Sequence, residues 1–128
     1  MDKLTPQVLK SQSEAILERT SAQLRELLKE AASQLSPFPP LPGAFFTHGI
    51  EVEPGAAASS ERGCIIVGSD GELYEFLWWY DFMDSPDPAL ARQEVTRRVE
   101  LSPLEYIIHA SNGLTKILEV LSKREIGR

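Results

Sequence analysis

The apolar residues of this chain fall into two helical stretches with a block of alternation between them. Leu17, Leu24, Leu28, Ala31 and Leu35 recur at steps of seven, four, three and four, and Ile16 and Leu27 widen the stripe they form. That spacing is one face of an amphipathic helix. Thr5-Pro6 supplies an N-cap followed by a proline in the first turn, so residues 1–35 are predicted as the N-terminal helix. Its leading turns are thin in apolar content, because Val8 and Leu9 are followed by Ser11, Gln12 and Ser13. At about 1.5 Å per residue the helix outreaches a ten-residue strand, and its first turns are expected to overhang the sheet.

Four prolines between Pro37 and Pro42 force extended backbone, so 36–43 reads as a stiff connector. From Ala44 the period shortens to two. Ala44 to Glu53, with Phe45, Phe46, Ile50 and Val52, reads as a first strand, Arg62 to Ser69, with its Cys64-Ile65-Ile66-Val67 run, as a second, and Glu72 to Phe82 as a long aromatic third. Pro54 to Ser60 and Asp84 to Pro88 read as loops. Asp70-Gly71 between two apolar runs predicts a two-residue type I′ hairpin, with positive φ at both positions.

Residues 91–101 fit two patterns. Ala91, Val95 and Val99 suit a helix, whereas Val95, Arg97, Val99 and Leu101 suit a strand. The strand is favoured, since β-branched residues carry the alternation and its length matches the third strand. Ser102-Pro103-Leu104-Glu105 has the form of a capping box. Leu104, Ile107, Ile108, Ser111, Leu114, Leu118 and Leu121 then hold one helical phase. Asn112-Gly113 falls inside that phase and reads as a glycine permitting close packing, with a turn between two short helices as the alternative.

The resulting fold class is α+β: an antiparallel four-stranded meander flanked by a long N-terminal helix and a C-terminal helix, in the order α-β-β-β-β-α. The 128 residues suit a single domain, with the sheet over 44–101 and the last helix over 102–123. A two-residue turn at Asp70-Gly71 would set Val67 against Tyr74 and Ile65 against Phe76. A symmetric loop about Pro86 would set Trp78 against Val95, Glu75 against Arg98, and Asp81 against Arg92. Ile65, Val67, Tyr74, Phe76, Trp78, Val95, Val99 and Leu101 then make a core face, with Arg97 as its single charge. The other face is mixed, with Cys64, Ile66, Leu73, Leu77 and Trp79 among Glu75, Asp81, Arg92, Glu94 and Arg98. Two helices span the width of four strands, so a two-layer fold with the mixed face open is favoured over three layers.

Charge narrows the choice of partner. Net charge is −6, and residues 36–90 hold nine acids against Arg62 alone. Such a middle section repels phosphate, which argues against nucleic acid and leaves a basic partner open. The longest apolar run is Phe76 to Tyr80, far short of the roughly 20 residues of a membrane span. Cys64 is the one cysteine and the N-terminus has no apolar leader, which suits a reducing, cytoplasmic setting.

Catalytic signals are weak. His48 and His109 lie far apart with no metal-ligand spacing, and no metal or cofactor is expected. Cys64 reads as a small apolar filler, and Asp81, Asp84 and Asp87 as turn and capping residues. The expectation is therefore a non-catalytic protein–protein interaction or adaptor module, binding a protein partner or itself as a homodimer. Its candidate interface centres on Trp79, with Leu77, Ile66 and Leu73, and with Glu75, Asp81 and Arg98 as a polar rim. The alternatives are a small-ligand-binding or sensory domain, or an enzyme with an unrecognised site.

Overall fold

A computed structural model gives the fold and describes residues 4–52, 64–83 and 85–126. Helix α1 (Pro6–Ser33) is followed by strands β1 (Ile50–Glu51), β2 (Cys64–Val67) and β3 (Leu73–Tyr80). A single helical turn α2 (Pro88–Ala91), strand β4 (Arg92–Arg98) and helix α3 (Pro103–Ile126) complete it. The four strands form one antiparallel meander in the order β1-β2-β3-β4. The α+β arrangement read from the sequence is present, and segment 91–101 is largely strand. The expected 54–60 loop, the start of the second strand before Cys64, and Asp84 lie outside the described residues.

Local signals at the helix starts act as expected. Thr5 Oγ1 accepts the Val8 amide at 3.2 Å, with Pro6 in the first turn. Ser102 Oγ accepts the Glu105 amide at 3.3 Å and donates to Glu105 Oε1 at 2.8 Å. Helix α3 runs unbroken through Gly113. A Cβ there would stand 2.7 Å from Val67 Cγ2, so the glycine is what lets the helix lie against β2.

Both helices pack on one face of the sheet and against each other. Leu28, Ala31, Ala32 and Leu35 of the first helix region meet Tyr106, Ala110 and Ile117 of α3 over Ile50, Val52, Val67 and Leu73. The buried stripe of α3 is thus Tyr106, Ala110, Gly113 and Ile117, rotated from the one read in sequence. Leu104, Ile108 and Leu118 are exposed, as are Ile16 and Leu27 of α1. Small residues decide this phase, since Ala110 and Gly113 admit a closer approach to the sheet than a leucine ridge would.

The register differs from expectation by one residue in two places. Gly71 N–H donates to Gly68 O, and Gly68 N–H to Glu72 O, both at 2.9 Å. Gly71 has φ +80°, and no described non-glycine residue has positive φ. The hairpin is therefore a three-residue loop, a type I turn closed by a left-handed glycine, instead of a two-residue type I′ turn. Val67 consequently pairs with Leu73 and Ile66 with Tyr74. On the other side α2 takes up chain that a symmetric loop would have left extended. Asp87 caps it and Pro88 opens it, so Trp78 pairs with Glu94 and Tyr74 with Arg98. Glu75 meets Arg97 at 3.6 Å instead of Arg98.

One-residue shifts exchange faces. Leu73, Ile65 and Val67 lie under the helices, whereas Cys64, Ile66, Phe76 and Trp78 face the other way. That second face is partly covered. Residues 39–49 form a small hairpin arm, bridged at Pro40 and His48, with Leu41 N–H donating to Thr47 O at 3.0 Å. Gly43 turns it at φ +84°. The prolines thus supply a folded arm that sets Leu41 and Ala44 on Cys64, Ile66 and Phe76. The first strand, expected over 44–53, is reduced to Ile50–Glu51 because the residues before it belong to this arm.

Candidate functional site

The residues expected to share an interface are divided by the observed register. Leu73, Glu75, Leu77 and Trp79 alternate onto the helix-bearing face, while Ile66 and Arg98 occupy positions on the arm-bearing face. Ile66, Leu73 and Leu77 are buried, and only Trp79 remains an exposed apolar residue, at 40%. Asp81 follows the end of β3, where its carboxylate accepts the Met83 amide at 3.1 Å. Arg98 reaches Glu72 Oε2 at 3.1 Å.

At the end of the sheet away from the β2–β3 hairpin, β4 places Arg92 and Glu94 on the arm side. Both side chains are only 3% exposed, and Arg92 Nε donates to Glu94 Oε2 at 2.9 Å. Glu94 also accepts the Phe45 amide at 2.7 Å, the Phe46 amide at 3.0 Å and the Thr47 hydroxyl at 2.8 Å. Arg92 Nη2 donates to Gly43 O at 3.0 Å. One buried ion pair thereby fixes the tip of the arm to β4. Burial pushes the Glu94 carboxyl up, but the hydrogen bonds from Phe45, Thr47, Phe46 and Arg92 outweigh it and hold the group below its ordinary value.

Aromatic rings surround this pair. The Arg92 guanidinium lies 4.2 Å from the Trp78 ring centre, 4.6 Å from Phe45 and 5.6 Å from Tyr80. Tyr80 stacks on Phe82 with centres 5.3 Å apart, and Phe45 meets Phe46 edge-on at 6.1 Å. The Asp81 amide donates to Ala91 O, which brings α2 beside the end of β3. Phe45, Phe46, Phe82, Met83 and Leu90 are 54%, 61%, 55%, 95% and 69% exposed. These are large apolar side chains held on a rigid base, with Asp81 and Asp87 beside them.

A second feature lies at the hairpin end. Glu72 is bridged by Arg25 and Arg98, each at 3.1 Å, and by Lys29 at 3.4 Å. Arg25, Glu72, Leu73, Arg98, Val99, Glu100, Leu101 and Tyr106 line a cavity of about 480 Å³. The Arg25 guanidinium lies 4.7 Å from the Tyr106 ring centre. Tyr106 is 5% exposed, and its hydroxyl has no hydrogen-bond partner among the described residues. Burial raises the Tyr106 phenol above its ordinary value, and Arg25 draws it partly back.

Sequence reading missed Arg92, Glu94, Phe45, Phe46 and Tyr106 as site residues. Arg92-x-Glu94 on one strand face was a visible signal, but their partners come from residues 43–47, which no local pattern connects to β4. Among the described residues no group of three or more His, Cys, Asp or Glu could hold a metal ion. No described helix is long and apolar enough to cross a membrane. Comparison with protein-family models, curated proteins and solved structures finds no match.

Proposed function

We propose that this protein is a non-catalytic interaction module that binds another protein through the aromatic surface around Arg92. The observation that carries this reading is the exposure of Phe45, Phe46, Phe82, Met83 and Leu90 on a base fixed by a buried ion pair. Large apolar side chains gathered on a folded surface mark contact sites. The partner is a segment with apolar anchors flanked by Lys or Arg. Asp81 and Asp87 stand at the edge of the patch, in a part of the chain with nine acids against one base. A second copy would bring the same acidic charge to the contact and no basic complement to it, so complementarity favours a basic partner over a homodimer.

The test uses an 18-residue helical peptide of leucine and lysine as probe, with a leucine–glutamate peptide as control. The Leu/Lys peptide is expected to bind saturably and more weakly in high salt, and the Leu/Glu peptide not to bind. A Phe45→Ser, Phe82→Ser double variant should lose binding at least tenfold. Trp79→Ala should retain it, because Trp79 alternates onto the opposite face of β3 from Tyr80. Equal binding of both peptides, or full binding by the double variant, would overturn the reading. Concentration-dependent dimerisation of the chain alone, lost in the double variant, would replace the basic partner with a second copy.

A further inference from the structure

The cavity between the helices and the hairpin end of the sheet is separate from the aromatic surface. Its walls combine two kinds of chemistry. Leu73, Val99 and Leu101 supply an apolar lining, and Arg25, Arg98 and Tyr106 supply hydrogen-bond donors. Arg25 and Arg98 both contact Glu72 through one terminal nitrogen. A guanidinium has five N–H donors, so each keeps capacity beyond that contact. Lys29 adds a third cation to the same carboxylate. Tyr106 is more than nine-tenths buried, yet its hydroxyl has no partner among the described residues. Buried polar groups in folded proteins are ordinarily hydrogen-bonded, so an unpaired phenol on a cavity wall points to an acceptor that arrives with a ligand.

We propose that this cavity binds a small monocarboxylic acid, its carboxylate accepting from Arg25, Arg98 and the Tyr106 hydroxyl and its hydrocarbon body lying on Leu73, Val99 and Leu101. The volume is within the range of small-molecule sites. Glu72 and Glu100 on the same wall set the charge limit, because a dianion such as phosphate meets their repulsion more strongly than a monocarboxylate does. The planar guanidinium fork also matches a carboxylate in geometry.

Calorimetry on the full chain with butyrate, octanoate and 4-phenylbutyrate tests the site. At least one should bind saturably, the longer acids more tightly than butyrate, and 4-phenylbutanamide at least tenfold more weakly than 4-phenylbutyrate. Inorganic phosphate should bind more weakly than the best acid. Tyr106→Phe removes only the unpaired hydroxyl and keeps the ring under Arg25, so it should fold like wild type while losing affinity severalfold. The Phe45→Ser, Phe82→Ser variant should bind the acid normally, which keeps this test distinct from that of the aromatic surface. Failure of all three acids to bind, equal binding of the amide, phosphate binding as tight as the best acid, or unchanged affinity in Tyr106→Phe would overturn the proposal.

Discussion

Gly71 carries two constraints at once. Its φ of +80° is costly for any residue with a Cβ, and a Cβ built there would stand 2.6 Å from Lys29 Cα. The second contact is with the backbone of α1, which cannot rotate away. Gly71→Ala is therefore expected to destabilise by about 2 kcal/mol or more, beyond the 1–2 kcal/mol that left-handed backbone alone costs a non-glycine residue. Asp70 has no such constraint, since its φ is not positive. Asp70→Asn keeps an acceptor for the Glu72 amide and should shift the urea midpoint little. Comparable losses in the two variants would contradict the turn described here. The same reasoning shows how far this site was legible: Asp-Gly identified a hairpin, but the left-handed residue count depends on how the loop meets α1.

For whole elements, burial separates two parts of α1. Leu28, Ala31 and Ala32 are buried, while every described residue from Leu4 to Ile16 is exposed. The thin apolar content before Glu14 foreshadowed this. Deleting residues 1–13 should change the chemical-denaturation midpoint little, because the described residues removed, from Leu4 on, are all exposed and contribute helix propensity without a packed core. A large drop in that midpoint would show that those turns are needed for folding. The proline-rich arm behaves in the opposite way. Its sequence suggests a spacer, yet Leu41 is buried and the arm's tip is bonded to Glu94 and Arg92. A segment with few of its own backbone pairs is ordered here by side-chain acceptors from β4.

At the scale of the whole molecule, Glu94 ties the docking of the arm to pH at the acid end. Its carboxyl is held below the ordinary value of 4.5 when folded. A depressed carboxyl contributes stability that is fully present above the unfolded value and is lost as pH falls through the folded one. Wild-type stability should thus decline below about pH 4.5 as the arm loses its anchor. Glu94→Gln leaves the Arg92 charge buried without its counter-ion. It should lower stability at pH 7 by about 3–5 kcal/mol, with a flatter acid limb. Urea unfolding of both proteins at pH 7, 5, 4 and 3 would check this, and parallel curves would assign the acid sensitivity to other carboxylates. The same variant should weaken peptide binding, since Phe45 and Phe46 take their positions from Glu94.

Local and periodic information in the chain was enough for the order of the two long helices and the four strands, the α+β class, the helix caps at Thr5 and Ser102 and the helices stacked on one sheet face, but not for the helical turn α2. These depend on neighbours within a few residues, where Thr5-Pro6, Ser102 to Glu105 and the strand alternation act directly. Register and facing needed the tertiary structure. A single extra loop residue at Gly71 and one helical turn at Pro88–Ala91 each move the pairing by one, and each such step sends a side chain through the sheet. That is why Trp79 and Ile66, expected on one face, stand on opposite faces. The ion pair of Arg92 and Glu94, the arm it holds, and the cavity beside Tyr106 join residues more than forty positions apart with the exception of Arg92 and Glu94 themselves or lie where α1, α3 and the sheet converge. Such contacts are set by packing in three dimensions, and no local spacing encodes them.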